Sequence, residues 1–332
     1  MENMKHMSVL ITGGAGFIGS NLASRLLKLG YKVVILDDLS RGDPDNIRDC
    51  YNYAPMFNFI KGSVLDYELV ERLVNKVDIV FHLAAQVHWE ESINEPVPSF
   101  QVNTIGTLNI LEAIRLNLTK RNPIKLMLYA SSSEIYGTAQ YIPMDEKHPF
   151  NPQSPYAAGK ASSDLLCGSY AKIYKIPVLR LRQFNTYGPR QKLLGYSAVI
   201  PKFINQVLSG RSLTIYGSGE QTRDFHYIDD LINAYVLILE NWDEIDLIGQ
   251  AINFGTGIET SINRLAKIIL EKAERTDIKP IHLAPRPGEV TQLQANIGLA
   301  RKLLKFEPKI DLSEGISRYM KWFKEQETFW VK

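Results

Sequence analysis

The chain has 332 residues, with 38 basic and 36 acidic side chains and a formal net charge of +2. That length can bury a large core in one or two domains, and a balanced charge without long runs of one sign points away from nucleic acid and membrane surfaces. No apolar run reaches the length of a membrane span, and Cys50 and Cys167 have neither metal-ligand nor redox spacing, so no metal and a reducing, cytoplasmic setting are expected.

In chain order, the start at 1–7 is short and polar and lacks a signal-peptide pattern. An apolar run, Ser8-Val9-Leu10-Ile11-Thr12, leads into Gly13-Gly14-Ala15-Gly16-Phe17-Ile18-Gly19. Ile18, Leu22, Leu26 and Leu29 then recur three or four apart, which predicts a helix with one buried face, closed by Gly30. A second apolar run, Val33 to Leu36, ends in Asp37. Strand, glycine turn, helix, strand and acid in this order form a dinucleotide fingerprint. Gly13 permits the tight turn, Gly16 lets the backbone approach a pyrophosphate, and Gly19 lets helix and strand pack closely. The helix N-terminus attracts the anion. A carboxylate at Asp37 accepts from ribose hydroxyls and repels a 2′-phosphate, which favours NAD over NADP; Arg41 nearby weighs the other way. The plain alternative is a glycine turn that binds nothing.

A polar loop is expected over 38–49, a strand over 57–60, then Ser63 and Val64 before a helix over 67–75. The run 77–83 reads as a buried strand leaving through Leu83-Ala84-Ala85, whose small side chains suit a passing cofactor or simple packing. One helix is expected over 98–116, carrying Asn103, and a strand over 124–130 that enters Ser131-Ser132-Ser133-Glu134-Ile135-Tyr136-Gly137. Such alternation predicts an α/β fold with a doubly wound parallel Rossmann sheet. Ligands of these sheets sit beyond the carboxyl ends of the strands, where Gly13, Asp37, Ala84 and Ser131 to Glu134 all fall. A long helix from Pro155 to about 174 carries Tyr156 and Lys160 four apart on one face. A neighbouring ammonium lowers a phenol's pKa, so a tyrosinate base acting on a substrate hydroxyl is expected. After the strand over 176–182 the periodicity turns irregular. The reading is therefore a dinucleotide domain over 1–182 and a smaller, interleaved substrate lobe over 183–332. In that lobe a helix opens at Ala198-Val199, a turn lies at 217–220 and a helix is expected over 261–273. The last helix is placed over 312–324. Arg223 and Arg286, on turn-like segments, suit a substrate diphosphate; the plain alternative is surface arginines.

Together these residues resemble the extended short-chain dehydrogenase/reductase family, in its nucleotide-sugar epimerase, dehydratase and decarboxylase branch. The likeness covers nearly the whole chain. It rests on the 13–19 glycines, His82-Leu83-Ala84-Ala85, the 131–137 segment and Tyr156 with Lys160. Further along it rests on Phe184-Asn185-Thr186-Tyr187-Gly188-Pro189-Arg190, Arg223-Asp224-Phe225 and Arg286-Pro287-Gly288-Glu289. The resemblance implies tightly bound NAD along Gly13, Gly16, Phe17, Ile18, Gly19, Asp37, Ser63, Val64, Leu83, Ala84, Ala85, Tyr156 and Lys160. It also implies a nucleoside-diphosphate sugar held by the second lobe, with Asn185, Arg223 and Arg286 on the diphosphate and His88, Arg190 and Val199 completing the substrate side. Homodimers through the helices starting near Pro98 and Tyr156 are implied as well. Two departures are Ser63 and Asn296, where relatives carry aspartate.

In this family Tyr156 removes the sugar O4 proton, with Ser132 as relay, to give a 4-keto sugar. In a 4-epimerase the ketone then turns over and no further base is needed. Glu134, two residues beyond Ser132, can instead remove the C5 proton acidified by that ketone, leading through loss of the C6 hydroxyl to a 4-keto-6-deoxy sugar. Ser133 stands where well-known dehydratases have the aspartate that protonates the leaving hydroxyl, which leaves that step to Glu134 or a water. A 4,6-dehydratase is the leading expectation, ahead of a 4-epimerase and then a UDP-glucuronate decarboxylase. From a different class, an NAD(P)-sensing regulator without chemistry has no need of Ser132, Tyr156 and Lys160.

Overall fold

The computed structural model describes residues 7–191, 198–243, 247–286 and 288–330. The first half holds β1 (Ser8–Thr12), α1 (Phe17–Lys28), β2 (Lys32–Asp37), β3 (Phe57–Lys61), α2 (Tyr67–Val74) and β4 (Ile79–His82). Next come α3 (Trp89–Asn94), α4 (Pro96–Phe100), α5 (Gly106–Asn117), β5 (Leu126–Ser132), α6 (Pro155–Tyr174) and β6 (Val178–Gln183). The second half starts with β7 (Asn185–Tyr187), α7 (Val199–Leu208), β8 (Thr214–Tyr216), β9 (Thr222–Tyr227), α8 (Ile228–Asn241) and β10 (Ala251–Phe254). It ends with β11 (Glu259–Ser261), α9 (Ile262–Lys272), β12 (Ile281–Leu283), α10 (Gly298–Leu304) and α11 (Leu312–Trp330).

Seven parallel strands pair in the order β10-β6-β5-β4-β1-β2-β3. Strand order reverses between β1 and β4, the switch point at which such sheets open a crevice. Apolar residues on both faces make β1 a buried central strand. Val9 and Ile11 pack into one core with α1 and α8. Leu10 faces the other way, into a core with Val70, Ile110 and Cys167 of α2, α5 and α6. The result is a helix–sheet–helix sandwich whose strand ends, and the loops after them, lie along one edge.

The smaller sheets, β11-β9-β7 and β12-β8, belong to the second half of the chain. A third core joins the halves, formed by Ile135 and Tyr136 after β5, Phe184 after β6, and Val290 and Leu293. β10 comes from the later part of the sequence yet pairs with β6, Ile252 opposite Leu181.

Three departures of the observed elements from the expected ones bear most on the fold. The loop over 38–49 contains the start of a 3-10 helix, Pro44–Tyr53, capped by the Asp43 carboxylate accepting from Asp45 N at 2.9 Å. The single helix over 98–116 is interrupted by a π-turn, Gln101–Ile105. There the Asn103 side chain reaches back to Gln86, accepting from its N–H at 2.9 Å and donating to its carbonyl at 3.0 Å. Helix α8 has no counterpart among the expected elements. Nine of its residues, Ile228 to Leu239, are buried, so no polar stripe marks its period. Pro287 lies outside the described residues.

Candidate active site

The dinucleotide end is built where β1, β2 and β4 finish. Gly13 has φ +70° and its N–H donates to Leu36 O at 2.8 Å. A Cβ there would lie 2.8 Å from Ala84 Cα, so the exit of β4 abuts the glycine turn. A Cβ on Gly19 would come within 2.4 Å of Gly13 O, the close packing expected of the third glycine. Over Gly16 the only near atom among the described residues is Gly13 O at 3.2 Å, so those residues leave space above the backbone. Gly16 is also the N-cap of α1 and no side chain among the described residues caps that end, so the first-turn N–H groups of Phe17, Ile18 and Gly19 can serve an anion. Asp37 is buried; its oxygens accept from Ala15 N and Leu39 N, each at 2.9 Å. Burial pushes its pKa up, those two amides pull it down, and the Asp38 charge pushes it up again. Ser63 Oγ accepts from Leu65 N at 3.2 Å, Val64 is buried, and Leu83, Ala84 and Ala85 are half-buried. An open cradle, an uncapped helix start and a carboxylate closing β2 together fit a dinucleotide pyrophosphate and ribose. Arg41, the cation that weighs toward a 2′-phosphate, is ion-paired with Glu91.

The chemical end lies where β5 meets α6. Ser132 ends β5, and its hydroxyl accepts from Glu134 N at 3.2 Å. Ser154 caps α6 through Ala157 N at 3.1 Å, which sets Tyr156 in the first turn and Lys160 one turn further. Burial pushes the Tyr156 phenol up to about 12; a hydrogen bond with Ser132 favours the phenolate and the Glu134 charge opposes it. The expected lowering by the lysine is corrected here. Lys160 donates its ammonium to Ala130 O and sits 4.4 Å over the Tyr129 ring, so its charge is spent on the end of β5. Burial brings that ammonium down to about 8, against the pull of Cys167 and Asp164. Glu134 is half-buried beside these groups. Burial raises its pKa, Arg223 lowers it and Glu289 raises it further, which places an arginine and a second acid near its carboxylate. Ser133 is buried in the 3-10 turn that follows β5. Below the site, His82 accepts or donates between Thr12 Oγ1 at 2.8 Å and Thr107 Oγ1 at 3.0 Å; burial brings its pKa to about 3 and keeps it neutral.

The second lobe supplies the remaining candidates. Asn185 lies on β7 with a buried Oδ1 that has no partner among the described residues. Arg223 on β9 donates to Thr222 O at 2.8 Å, and its charge lowers the Glu134 pKa. Arg286 stacks 3.9 Å over the Tyr216 ring and pairs with Glu90 at 2.9 Å. His88 is the half-buried residue that opens α3, and Val199 is half-buried at the start of α7. Arg190 is used otherwise: φ of +71° turns it toward α1, where it donates to Ser20 O, Ser24 Oγ and Asp49 Oδ2 at 2.8, 2.9 and 3.1 Å. Sequence reasoning missed Tyr216 and Lys202, whose ammonium lies 4.8 Å over the same ring. The Arg286 hydrogen bond and the Lys202 charge lower the Tyr216 pKa against burial. An aromatic ending a short strand before Gly217 was the available signal.

A doubly wound sheet with this glycine turn, an acid closing β2, and Ser132, Tyr156 and Lys160 on β5 and α6 defines a dinucleotide-dependent enzyme of the short-chain dehydrogenase/reductase type. Comparison with known proteins takes this further. The family model described as GDP-mannose 4,6 dehydratase matches residues 10–319. The UDP-glucose 4-epimerase of Mycolicibacterium smegmatis is 36% identical over 96% of this chain and 99% of its own length. The dTDP-D-glucose 4,6-dehydratase of Dictyostelium discoideum is 38% identical over 79% of this chain and 61% of its own. The crystal structure of a Bacillus cereus UDP-glucuronic acid 4-epimerase, in complex with UDP-glucuronic acid and NAD, superposes with a TM-score of 0.88. It is 33% identical and covers 96% of this chain and 99% of that one. The chain belongs to the NAD-dependent nucleotide-sugar epimerase/dehydratase family of extended short-chain dehydrogenases/reductases. Among the described residues no helix is long and apolar enough to cross a membrane, and no three side chains group as metal ligands.

Proposed function

We propose that the chain is a nucleoside-diphosphate-hexose or N-acetylhexosamine 4,6-dehydratase that works through a 4-keto sugar. The observation that carries this reading is Glu134, a half-buried carboxylate close enough to Tyr156 to oppose its ionisation. When bound, NAD supplies the hydride acceptor at C4 and the hydride donor at C6. Gly13, Gly16 to Gly19, Asp37, Ser63, Val64 and Leu83 to Ala85 hold it. Tyr156 takes the O4 proton, with Ser132 sharing that hydrogen bond. Lys160 holds the end of β5 against α6, so that Ser132 stays in reach. Glu134 then takes the C5 proton, which the neighbouring ketone acidifies. The C6 hydroxyl leaves as water, with its proton from Glu134 or a relayed water, and a proton returns to C5. The net change is loss of one water. Asn185, Arg223 and Arg286 grip the diphosphate, and His88 and Val199 line the sugar and nucleotide side.

A 4-epimerase is the second reading, favoured by Ser133. No acid stands there to protonate a leaving hydroxyl, and the M. smegmatis relative carries the epimerase name. The test is incubation of the NAD-loaded protein with UDP-GlcNAc, UDP-glucose, GDP-mannose and dTDP-glucose in heavy water. A 4-keto-6-deoxy product with deuterium at C5 is expected; a product of unchanged mass with inverted C4 selects the epimerase and overturns the dehydratase.

Homodimerisation through α4, α5 and α6 belongs to the same proposal. Val97, Phe100, Ile105, Leu116, Leu165 and Ile173 expose apolar side chains on that helical stretch. A reducing cytoplasm suits Cys50 and Cys167, both buried as free thiols.

A further inference from the structure

Helix α3 carries two adjacent carboxylates, and each holds an arginine from a different part of the cleft. Glu91 pairs with Arg41, which follows β2 on the cofactor side. Glu90 pairs with Arg286 from the second lobe at 2.9 Å, with both side chains about one-third exposed. The cofactor-side contact is anchored, because Gly42 packs so closely on Asp37 that a Cβ would lie 2.6 Å from its Oδ1. The segment leading into α3 is pinned as well, through both backbone groups of Gln86 on Asn103. Arg286 has a different set of contacts: a ring face, Tyr216, and one carboxylate.

We infer that Glu90 occupies on Arg286 the place of a substrate phosphate, and that substrate binding exchanges one anion for the other. The inference rests on the reading of Arg286 as a diphosphate ligand. A guanidinium fork accepts a carboxylate or a phosphate through the same N–H donors. It cannot give both anions its best geometry while they repel each other at that distance. Glu91 keeps α3 tied to the cofactor side while Glu90 lets go, so the exchange needs no unfolding of the helix. Glu90 is thus a determinant of nucleotide affinity that works against the substrate it faces.

The test is calorimetric binding of UDP, dTDP and GDP to the NAD-loaded wild type, Glu90→Gln, Arg286→Gln and the double variant, with NAD affinity and melting temperature as controls. For whichever nucleotide binds the wild type best, Glu90→Gln is expected to bind about twofold to fivefold tighter, the strength of a partly exposed ion pair. Arg286→Gln binds more weakly, and Glu90→Gln adds nothing in its background. Glu90→Ala moves in the same direction as Glu90→Gln. Two outcomes overturn the exchange while the diphosphate reading of Arg286 stands: weaker or unchanged binding by Glu90→Gln with weaker binding by Arg286→Gln, or an equal gain from Glu90→Gln in the double variant. Unchanged binding by Arg286→Gln overturns the diphosphate reading itself.

Discussion

Replacing Glu134 by glutamine removes one charge and one proton acceptor while keeping the volume of the side chain. The carboxylate is assigned to the C5 proton, and a positioned acid–base group contributes roughly a hundredfold to ten-thousandfold in rate. Glu289 lies near enough to raise the Glu134 pKa and is the obvious substitute. The expected loss of turnover therefore falls toward the lower end, about a hundredfold to a thousandfold. The direction of two further effects follows from the pKa shifts. Glu134 opposes ionisation of Tyr156, so the variant phenol titrates lower than about 12 and C4 oxidation is not slowed at alkaline pH. Burial raises the Glu134 pKa, which means the folded state disfavours its charge; a neutral side chain leaves the melting temperature unchanged or higher. The assay is a stopped-flow trace of reduced nicotinamide absorbance with product analysis in heavy water. Absorbance that rises and persists, with C5 deuterium lost, is the expected result. A variant within threefold of wild type that still labels C5 refutes the role of Glu134.

Tyr156→Phe is expected to lose about a hundredfold to ten-thousandfold in turnover while calorimetry shows its NAD affinity within about twofold of wild type, because only the hydroxyl beside Ser132 is removed; unchanged turnover counts against the base. Asp164 is fully buried and accepts from Arg180 Nη1 at 3.0 Å and from Arg182 Nε and Nη2 at 3.0 and 2.9 Å. Asp164→Asn strands the buried Arg182 charge and is expected to cost about 3–5 kcal/mol, a fall of roughly 5 °C in melting temperature; a calorimetric melt within a degree of wild type contradicts this. His226 is fully buried against Phe306, neither ring nitrogen has a partner among the described residues, and burial takes its pKa from 6.5 to about 3. A histidine lowered in the fold contributes stability above pH 6.5 that is lost as pH falls toward 3, on the order of 2 kcal/mol by pH 5. His226→Phe should flatten the fall in melting temperature between pH 7 and pH 5, leaving the part due to His82, and an identical slope rejects the argument.

The module from β1 to β2 was legible because the residues that mark it are close in sequence. The glycine spacing, the α1 stripe and the acid closing β2 lie within one βαβ unit, and the structure places them as read. Tyr156 and Lys160 were legible as one helix face for the same reason. What the ammonium would touch was not: i,i+4 spacing puts two side chains together but says nothing of the Ala130 carbonyl on another element. Arg190 illustrates the converse, since a motif arginine in a turn is aimed by the φ of that turn. Long-range parallel pairing left no local mark either, so the return of β10 to the edge beside β6 could not be placed from its pattern. Helix α8 escaped because burial all round erases the alternation that reveals a surface helix.

The charges of the cleft show why affinity for a dianionic nucleotide must be argued locally. A chain with a formal charge of +2 offers little overall attraction to an anion. Two arginines of the second lobe have carboxylates near them: Arg286 is ion-paired with Glu90, and the charge of Arg223 lowers the Glu134 pKa. Each pair keeps a cation and an acid from lying uncompensated in a partly desolvated space. If Arg223 and Arg286 grip the diphosphate as proposed, its binding draws their charges away from the acids beside them. On the Arg286 side the acid so released would be Glu90 on α3. On the Arg223 side it is Glu134, which loses a charge that held its pKa down. Substrate binding would then raise the proton affinity of that carboxylate further, at the moment when it has to take a proton from C5 and help a hydroxyl to leave.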